Sequence, residues 1–179
     1  MSSETAPMKE STNLMLKPRI EKVVVNMSVG KSGEPLEKAS KVLEQLTGQK
    51  PGLRKAKKTI RDFGVRKGES IACMVTLRKE EAKEFLKRVF PAIENRLSKE
   101  NFDQLGNFSF GIKEHIDIPG TKYIPELGIH GMDVSVSLSR LGQRVKRRHR
   151  VKSRVGVKHK LSPEEGIAFV KEEFGIEVT

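Results

Sequence analysis

The sequence has little of the residue types on which metal, redox and nucleophilic sites depend. Cysteine occurs once in 179 residues, as Cys73, so an intramolecular disulfide and a cysteine-rich zinc cluster are both excluded. A single thiol in an apolar run indicates a reducing compartment. The four histidines are spread over three segments and have neither partner ligands nor a paired nucleophile. We therefore predict no catalytic residue, no metal site and no cofactor.

Aromatic residues are also scarce. They make up 5% of the chain, with no tryptophan and a single tyrosine, Tyr123, and the phenylalanines mostly fall at core spacing. Stacking platforms for single-stranded nucleic acid are therefore not expected. The sequence also lacks a helix-turn-helix pattern and the heptads or paired metal ligands of proteins that read a DNA groove. A nucleic-acid partner, if the charge indicates one, would be a folded RNA recognised by shape and phosphate contacts.

The chain contains no long hydrophobic run. Its first sixteen residues, MSSETAPMKESTNLML, carry acidic side chains and lack the apolar stretch of a signal peptide or a membrane-spanning helix. We therefore predict a cytoplasmic protein with no membrane partner. The length and the 36% hydrophobic content suffice for a core, so we expect one domain over residues 14–179 after a flexible tail of residues 1–13.

The tripeptide Gly30-Lys31-Ser32 also ends the phosphate-binding loop of nucleotide-hydrolysing enzymes. That loop needs a further glycine five positions before Gly30, where the backbone curls around phosphate oxygens. This chain has Val25 there, and a β-branched residue favours an extended strand over a turn with positive φ. Half of the motif is therefore missing. We keep nucleotide hydrolysis as the alternative function and favour a protein that is not an enzyme.

Positive charge is the most informative feature that is present. The formal net charge is +12, and the basic residues concentrate in two stretches. Residues 140–160, called here the basic insertion, contain ten basic residues and no acid, and residues 50–68 contain eight basic residues beside Asp62. The rest of the chain has 17 basic and 22 acidic residues. The excess of positive charge is therefore confined to these two stretches.

Cations packed this densely repel one another, so they are expected where a polyanion neutralises them. Nucleic acid is the polyanion that fits best. A solvated or disordered basic loop without a partner is the alternative for either stretch. A helix on a membrane surface is disfavoured, because valines and cations alternate over residues 151–158 with the period of a strand.

Hydrophobic periodicity predicts an α+β fold. Apolar and polar residues alternate in four segments, which we predict to be strands: residues 20–27, 71–78, 107–113 and 132–138. Helical spacing predicts a helix ending at Gly48, a long helix over residues 79–98 with a kink at Pro91, and a last helix capped by Ser162. We expect an antiparallel sheet in a two-layer sandwich, covered by helices on its apolar face.

The opposite face of the predicted sheet carries short polar side chains and a few cations, which suits the phosphates and riboses of RNA. The ordinary alternative is that any half-exposed sheet has polar residues on its outer face. One residue on this face, Asp133, is acidic. The other polar residues of the face are Lys22, Asn26, Ser28, Thr76, Arg78, Ser109, Lys113, Ser135 and Ser137.

Several segments resemble a known protein family. They are NMSVG at 26–30, LTGQKPGLRKAKKTIRDFGVRKGES at 46–70, VTLR at 75–78, FGIKEH at 110–115 and GMDVSVS at 131–137. This pattern, over residues 14–138, is similar to large-subunit ribosomal protein family five, the universal binder of 5S ribosomal RNA. The resemblance implies an α+β sandwich with a structural and assembly role in the central protuberance of the cytoplasmic ribosome. Its implied partners are 5S rRNA, large-subunit rRNA, the P-site tRNA and neighbouring ribosomal proteins.

The resemblance also suggests which residues contact RNA. Residues 60–68 resemble the family loop that approaches tRNA, which implies contacts by Arg61, Phe63, Arg66 and Lys67. The basic insertion is typical of archaeal and eukaryotic members, and its residues are assigned to rRNA by electrostatics alone. The predicted rRNA-binding residues are Lys22, Asn26, Ser28, Lys50, Arg54, Lys55, Lys57, Lys58, Thr59, Lys113, Arg144, Lys146, Arg147, Arg148, Arg150, Lys152, Arg154 and Lys158.

Overall fold

The computed structural model of the chain describes residues 13–179, and the predicted tail lies almost entirely outside them. Within this part, the strands are β1 (Arg19–Ser28), β2 (Gly52–Lys55), β3 (Ser70–Leu77), β4 (Arg96–Leu97), β5 (Phe108–Ile112), β6 (Met132–Ser139) and β7 (Glu177–Val178). The α-helices are α1 (Glu34–Thr47), α2 (Lys79–Val89), α3 (Arg144–Arg147) and α4 (Pro163–Phe174). Short 3-10 helices occupy Phe90–Ile93, Lys99–Asn101, His115–Asp117 and Val157–His159.

A five-stranded antiparallel sheet with the order β2-β3-β1-β6-β5 forms the centre of the fold. Alternate residues of β1 face the helices, and Val23, Val25 and Met27 are at most 1% exposed. Helices α1 and α2 pack on this side, while the opposite side, called here the open face, carries the polar residues. The predicted α+β class is therefore confirmed.

Helix α1 begins and ends as its sequence predicts. Pro35 lies in the first turn, where its missing N–H is not needed. Leu36 and Leu43 are buried against the sheet at helical spacing. Gly48 adopts the left-handed conformation with φ 68°, and its N–H donates to the Glu44 carbonyl. The predicted glycine cap is confirmed.

The long helix predicted over residues 79–98 is wrong in its second half. Helix α2 ends at Val89, a 3-10 turn follows, and Glu94 and Asn95 then take positive φ values of 56° and 54°. Pro91 has no N–H to continue the helical hydrogen bonds. Leu97 is buried as predicted, but it lies in β4, where its carbonyl accepts a hydrogen bond of 3.0 Å from the N–H of Thr179. Distant pairing with β7 therefore decided the conformation of this segment.

The strand-like alternation of residues 151–158 does not correspond to a strand in the structure. The basic insertion contains α3, a 3-10 turn at Val157–His159 and irregular backbone between them. Val151 and Val157 are 81% and 83% exposed, so their spacing does not mark a buried face. Alternation predicts a strand only when a sheet edge and a core are available to receive it. In this segment the alternation describes only how valines and cations follow one another along the chain.

Helix α4 is fixed at its first turn. The Ser162 hydroxyl accepts a hydrogen bond from the Glu165 N–H, and the Glu165 carboxylate accepts one from the Ser162 N–H, which confirms the predicted capping box. The backbone at Gly166 packs directly on Gly106, so closely that an added Cβ at Gly166 would lie 2.5 Å from the Gly106 carbonyl oxygen. This contact was not predicted from the sequence. Among the helices of residues 13–179, none is long and apolar enough to cross a membrane.

Candidate nucleic-acid interface

The open face combines polar side chains with a narrow apolar strip. Lys22 lies opposite Ser137, and Asn26 lies opposite Asp133, in the register between β1 and β6. Val24 and Met74 are half-buried on the same face, and the predicted polar set did not include them. A shallow hollow of about 400 Å³ crosses the face, and its lining includes Lys22, Val24, Asn107, Ser109, Ser135 and Ser137.

Asn107 is a residue of this face that sequence reasoning missed. Its side-chain oxygen accepts hydrogen bonds from the Leu138 N–H at 2.9 Å and from the Ser137 hydroxyl at 3.3 Å. Its amide nitrogen donates to Asp103 at 2.8 Å. Asn107 thereby holds the turn before β5 against the end of β6. An asparagine one residue before a strand is a common turn residue, so its sequence carried no signal of this role.

The loop of residues 56–69 joins β2 to β3 and is called here the basic loop. At its base the Ala56 N–H donates to the Glu69 carbonyl at 2.7 Å, and the Ala56 carbonyl accepts from the Gly68 N–H at 2.9 Å. Reciprocal bonds of 2.9 and 3.1 Å join Ile60 and Val65 near its tip. The predicted tRNA-contacting residues lie at or beside the tip, and all of them are exposed. Phe63 is 74% exposed, which is unusual for so large an apolar side chain.

Two polar side chains stiffen the basic loop from within. The Thr59 hydroxyl accepts a hydrogen bond of 3.0 Å from the Lys67 N–H. The Glu69 carboxylate accepts bonds from the Ser32 hydroxyl and from the Arg66 N–H, and these bonds lower the pKa of Glu69. Thr59, predicted to bind rRNA, therefore has a structural role within the loop. Glu69 remains ionised and ties the loop to the turn after β1.

The turn at Gly30-Lys31-Ser32 does not form a phosphate cradle. The N–H groups of Val29 and Gly30 both donate to the Ile71 carbonyl, at 3.1 and 3.0 Å, so they are not available to phosphate oxygens. The Ser32 hydroxyl is committed to Glu69. Val25, where the motif needs glycine, is a fully buried residue of β1.

The basic insertion is attached to the domain by Arg140. This guanidinium is 9% exposed, donates to the Lys158 carbonyl at 3.1 Å and pairs with the Glu165 carboxylate at 2.6 Å. A second tie joins the His159 ring to the Leu141 carbonyl at 2.7 Å. Arg140, one of the ten cations counted in the insertion, is therefore a structural residue and not part of a cationic surface.

Two further cations of the insertion have partners within the protein. Arg147 pairs with Glu21 of β1, and Arg148 donates to the Val151 carbonyl at 2.6 Å. The others are exposed and form no ion pair with a residue of the described chain. They are Arg144, Lys146, Arg150, Lys152, Arg154, Lys158 and Lys160.

The two basic stretches lie at opposite ends of the sheet. The basic loop follows β2 and precedes β3, near the end of β1 at Ser28, whereas the insertion follows β6, near the start of β1 at Arg19. Ten residues of β1 span about 30 Å between these ends. Arg54 and Lys55 of β2 are exposed near the basic loop, whereas Lys50 lies before β2 in the turn after α1. Residues 50–68 therefore do not form one compact patch.

His115 is buried at 3% exposure and is not a catalytic base. Its Nδ1 accepts a hydrogen bond of 3.3 Å from the His130 N–H, and burial lowers the pKa of the ring. His115 therefore stays neutral near pH 7 and supports the loop between β5 and β6. In residues 13–179, no group of three histidine, cysteine or acidic side chains is placed to hold a metal ion.

Comparison with known proteins gives one consistent result. The family model described as "Ribosomal protein L5" matches residues 13–66, and the model for the C-terminal part of the same ribosomal family matches residues 70–169. The chain belongs to the ribosomal protein L5 (uL5) family. The resemblance found in its sequence motifs is thereby confirmed.

Archaeal relatives of the uL5 family are similar to nearly the whole chain. The large ribosomal subunit protein uL5 of Aeropyrum pernix is 53% identical over 163 residues, which cover 90% of this chain and 85% of the relative. The uL5 protein of Sulfolobus acidocaldarius is 49% identical and covers 93% of both chains. That of Nitrosopumilus maritimus is 49% identical over 92% of this chain and 95% of its own.

Membership of the uL5 family decides between the two functions considered for this sequence. The chain is a structural component of the large ribosomal subunit in the cytoplasm, and it is not an enzyme. The alternative of nucleotide hydrolysis is wrong, in agreement with the occupied amides at Gly30. The high similarity to archaeal members agrees with the predicted archaeal or eukaryotic type.

Proposed function

We propose that this uL5-family protein binds 5S rRNA across the open face of its sheet. The observation that carries the proposal is the position of the two cationic stretches, which flank that face at its opposite ends. The four longest strands contain two acidic residues, Asp133 and Glu21, and Glu21 is paired with Arg147. A polyanion lying along β1 therefore meets cations at both ends and little repulsion between them.

The basic loop is proposed to contact the P-site tRNA. Its backbone bridge between Ile60 and Val65 and the Glu69 carboxylate hold the tip in one shape before any ligand binds. A loop that is already ordered loses less conformational entropy on binding. Arg61, Phe63 and Arg66 then offer two cations and one exposed ring, which suits a backbone contact supported by a single stacked base.

The basic insertion is proposed to hold large-subunit rRNA, either alone or together with the 5S rRNA, and to take part in subunit assembly. Arg140 and His159 fix its two ends to the domain, so its exposed cations keep a defined position relative to the open face. As a component of the large ribosomal subunit, the chain also has neighbouring ribosomal proteins as partners.

The test is a salt titration of 5S rRNA binding. The variant replaces six exposed cations of the insertion by glutamine: Arg144, Lys146, Arg150, Lys152, Arg154 and Lys158. Each lost phosphate contact lowers the slope of log K against log salt by about 0.9, so a slope decrease of about 3 to 5 is expected. Arg140 stays in place to preserve the fold.

Two outcomes count against the proposal. If the intact chain does not bind 5S rRNA even at about 50 mM salt, where phosphate contacts are strongest, the proposal fails as a whole. If binding is tight but the slope is the same for both proteins, the insertion does not contact 5S rRNA. Repeating the titration with large-subunit rRNA fragments then tests that assignment.

A further inference from the structure

A cleft lies between the basic insertion and the end of the sheet. Its volume is about 800 Å³, within the range of small-molecule sites. Lys22 and Ser137 of the open face form one wall, and Arg154 and Val157 of the insertion belong to the other.

The cleft is strongly cationic. Lys22, Lys146, Arg154 and Lys160 line it and form no ion pair with any described residue, while its one acidic residue, Glu21, is neutralised by Arg147. Arg140 also lines the cleft, but it is 9% exposed and its guanidinium is bonded to the Lys158 carbonyl and to Glu165. The exposed cations, and not Arg140, are therefore the groups that would meet a ligand. These groups indicate an anionic ligand.

The cleft also has an apolar part that a bare phosphate does not explain. Leu105 and Val157 are 46% and 83% exposed, and both line it together with half-buried Val155. Gln143 also lines the cleft, and its side-chain amide makes no hydrogen bond within the described chain. Cations, apolar surface and an unused amide together match a phosphate, a base face and a base edge.

We propose that this cleft binds a single unstacked nucleotide of an RNA, with its phosphate toward the cations and its base between Leu105 and Val157. The inference rests on the proposed RNA binding and extends it, because it assigns a nucleotide pocket where electrostatics alone assigned a backbone contact. Sequence-specific RNA binding commonly uses such splayed nucleotides, whose faces and edges are free. An acidic peptide would satisfy the cations but not the apolar walls.

The first experiment uses methyl NMR of the full chain titrated separately with AMP, GMP, CMP and UMP. At least one nucleotide is expected to shift the methyl signals of Leu105, Val155 and Val157 in a saturable manner. Inorganic phosphate is expected to leave these signals unchanged at the same concentration. Saturation by inorganic phosphate or by a hexaglutamate peptide with the same methyl shifts would overturn the proposal, and so would the absence of a response to all four nucleotides.

Two valines offer a matched pair of variants. Val157 and Val151 have nearly equal exposure and belong to the same segment, but only Val157 lines the cleft. Val157→Glu should weaken nucleotide binding at least about tenfold, because it replaces the apolar wall at the base by a negative charge within the cleft, whereas Val151→Glu should stay within about twofold. Neither substitution alters the core. Equal weakening by both variants would show a general charge effect and would refute the pocket.

A competition experiment separates RNA from free nucleotide as the natural ligand. Saturating 5S or large-subunit rRNA should displace the bound nucleotide and so remove the methyl shifts that the nucleotide causes. If no rRNA displaces the nucleotide, an RNA origin of the ligand is refuted. The pocket and the proposed function can fail separately. Tight 5S rRNA binding without any nucleotide response removes the pocket alone, whereas a nucleotide response without 5S rRNA binding removes the proposed function.

Discussion

At the scale of single residues, two glycines bring backbone segments closer together than any side chain allows. Gly106 has φ 71°, and an added Cβ there would lie 2.7 Å from the Ser162 carbonyl oxygen. An added Cβ at Gly166 would lie even closer, 2.5 Å from the Gly106 carbonyl oxygen. The first turn of α4 therefore rests on the turn before β5, and this contact also places Glu165 where it can pair with Arg140.

Gly166→Ala tests this contact, because helix propensity and packing predict opposite signs. Alanine in a helix is more favourable than glycine by about 1 kcal/mol. The clash with the Gly106 backbone is expected to outweigh this gain and to lower the free energy of unfolding by about 1–3 kcal/mol. Urea denaturation measures the change. Gly156→Ala is the control, since nothing lies within 4 Å of its added Cβ; a stabilised Gly166→Ala protein would refute the contact.

At the scale of elements, the Arg140 side chain makes two of the contacts that attach the basic insertion. The bonds of Arg140 to Lys158 and Glu165 join the end of β6 to the far end of the insertion and to α4. The insertion contains little regular structure of its own. Its order therefore depends on these contacts more than on local propensity.

Arg140→Gln should release the insertion without unfolding the sheet. The insertion is rich in trypsin sites, so limited trypsin digestion within residues 144–158 should become about tenfold faster or more, which corresponds to about 1.4 kcal/mol less free energy of local opening. Mass spectrometry of the fragments identifies the cut sites. Arg148→Lys serves as the control, because it keeps the trypsin site and replaces a guanidinium that donates to the nearby Val151 carbonyl. Equal digestion of both variants would show that Arg140 does not order the insertion.

At the scale of the whole molecule, the position of the charge matters more than its total. The helices on the covered face also carry exposed lysines, including Lys41, Lys87 and Lys171. These lie on the side of the sheet opposite the open face. A protein that attracted RNA only through its net charge of +12 would be insensitive to where charge is removed.

Two triple variants with the same net charge separate position from total charge. The basic-loop variant replaces Lys57, Lys58 and Lys67 by glutamate. The covered-face variant replaces Lys41, Lys87 and Lys171 by glutamate. We expect the basic-loop variant to lower the affinity for rRNA and for tRNA at least about tenfold more than the covered-face variant does. Filter binding at one fixed salt concentration measures both affinities. Equal losses would mean that long-range attraction, and not the basic loop, accounts for binding.

Much of the fold and part of the interface were predictable from local patterns. Period-two alternation located β1, β3, β5 and β6, because a sheet with one buried face imposes that period on each strand. It failed over residues 151–158, where the exposed Val151 and Val157 line no core. Helical spacing also predicted a helix beyond Val89, where α2 ends, because the position of Leu97 fits both a helix and a short strand. The basic residues were identified from composition, but the intramolecular hydrogen bonds of Arg140 and Thr59 were not predicted.

The sequence by itself determined the fold class, the family, the two cationic stretches and the capping of α1 and α4, since each depends on neighbouring residues or on composition. Only the tertiary structure decided that the two stretches lie at opposite ends of one open face, that Arg140 is structural, and that a cleft lies beneath the insertion. These features arise from contacts between residues distant in the chain. Their geometry depends on strand order and packing, which no local pattern of residues specifies.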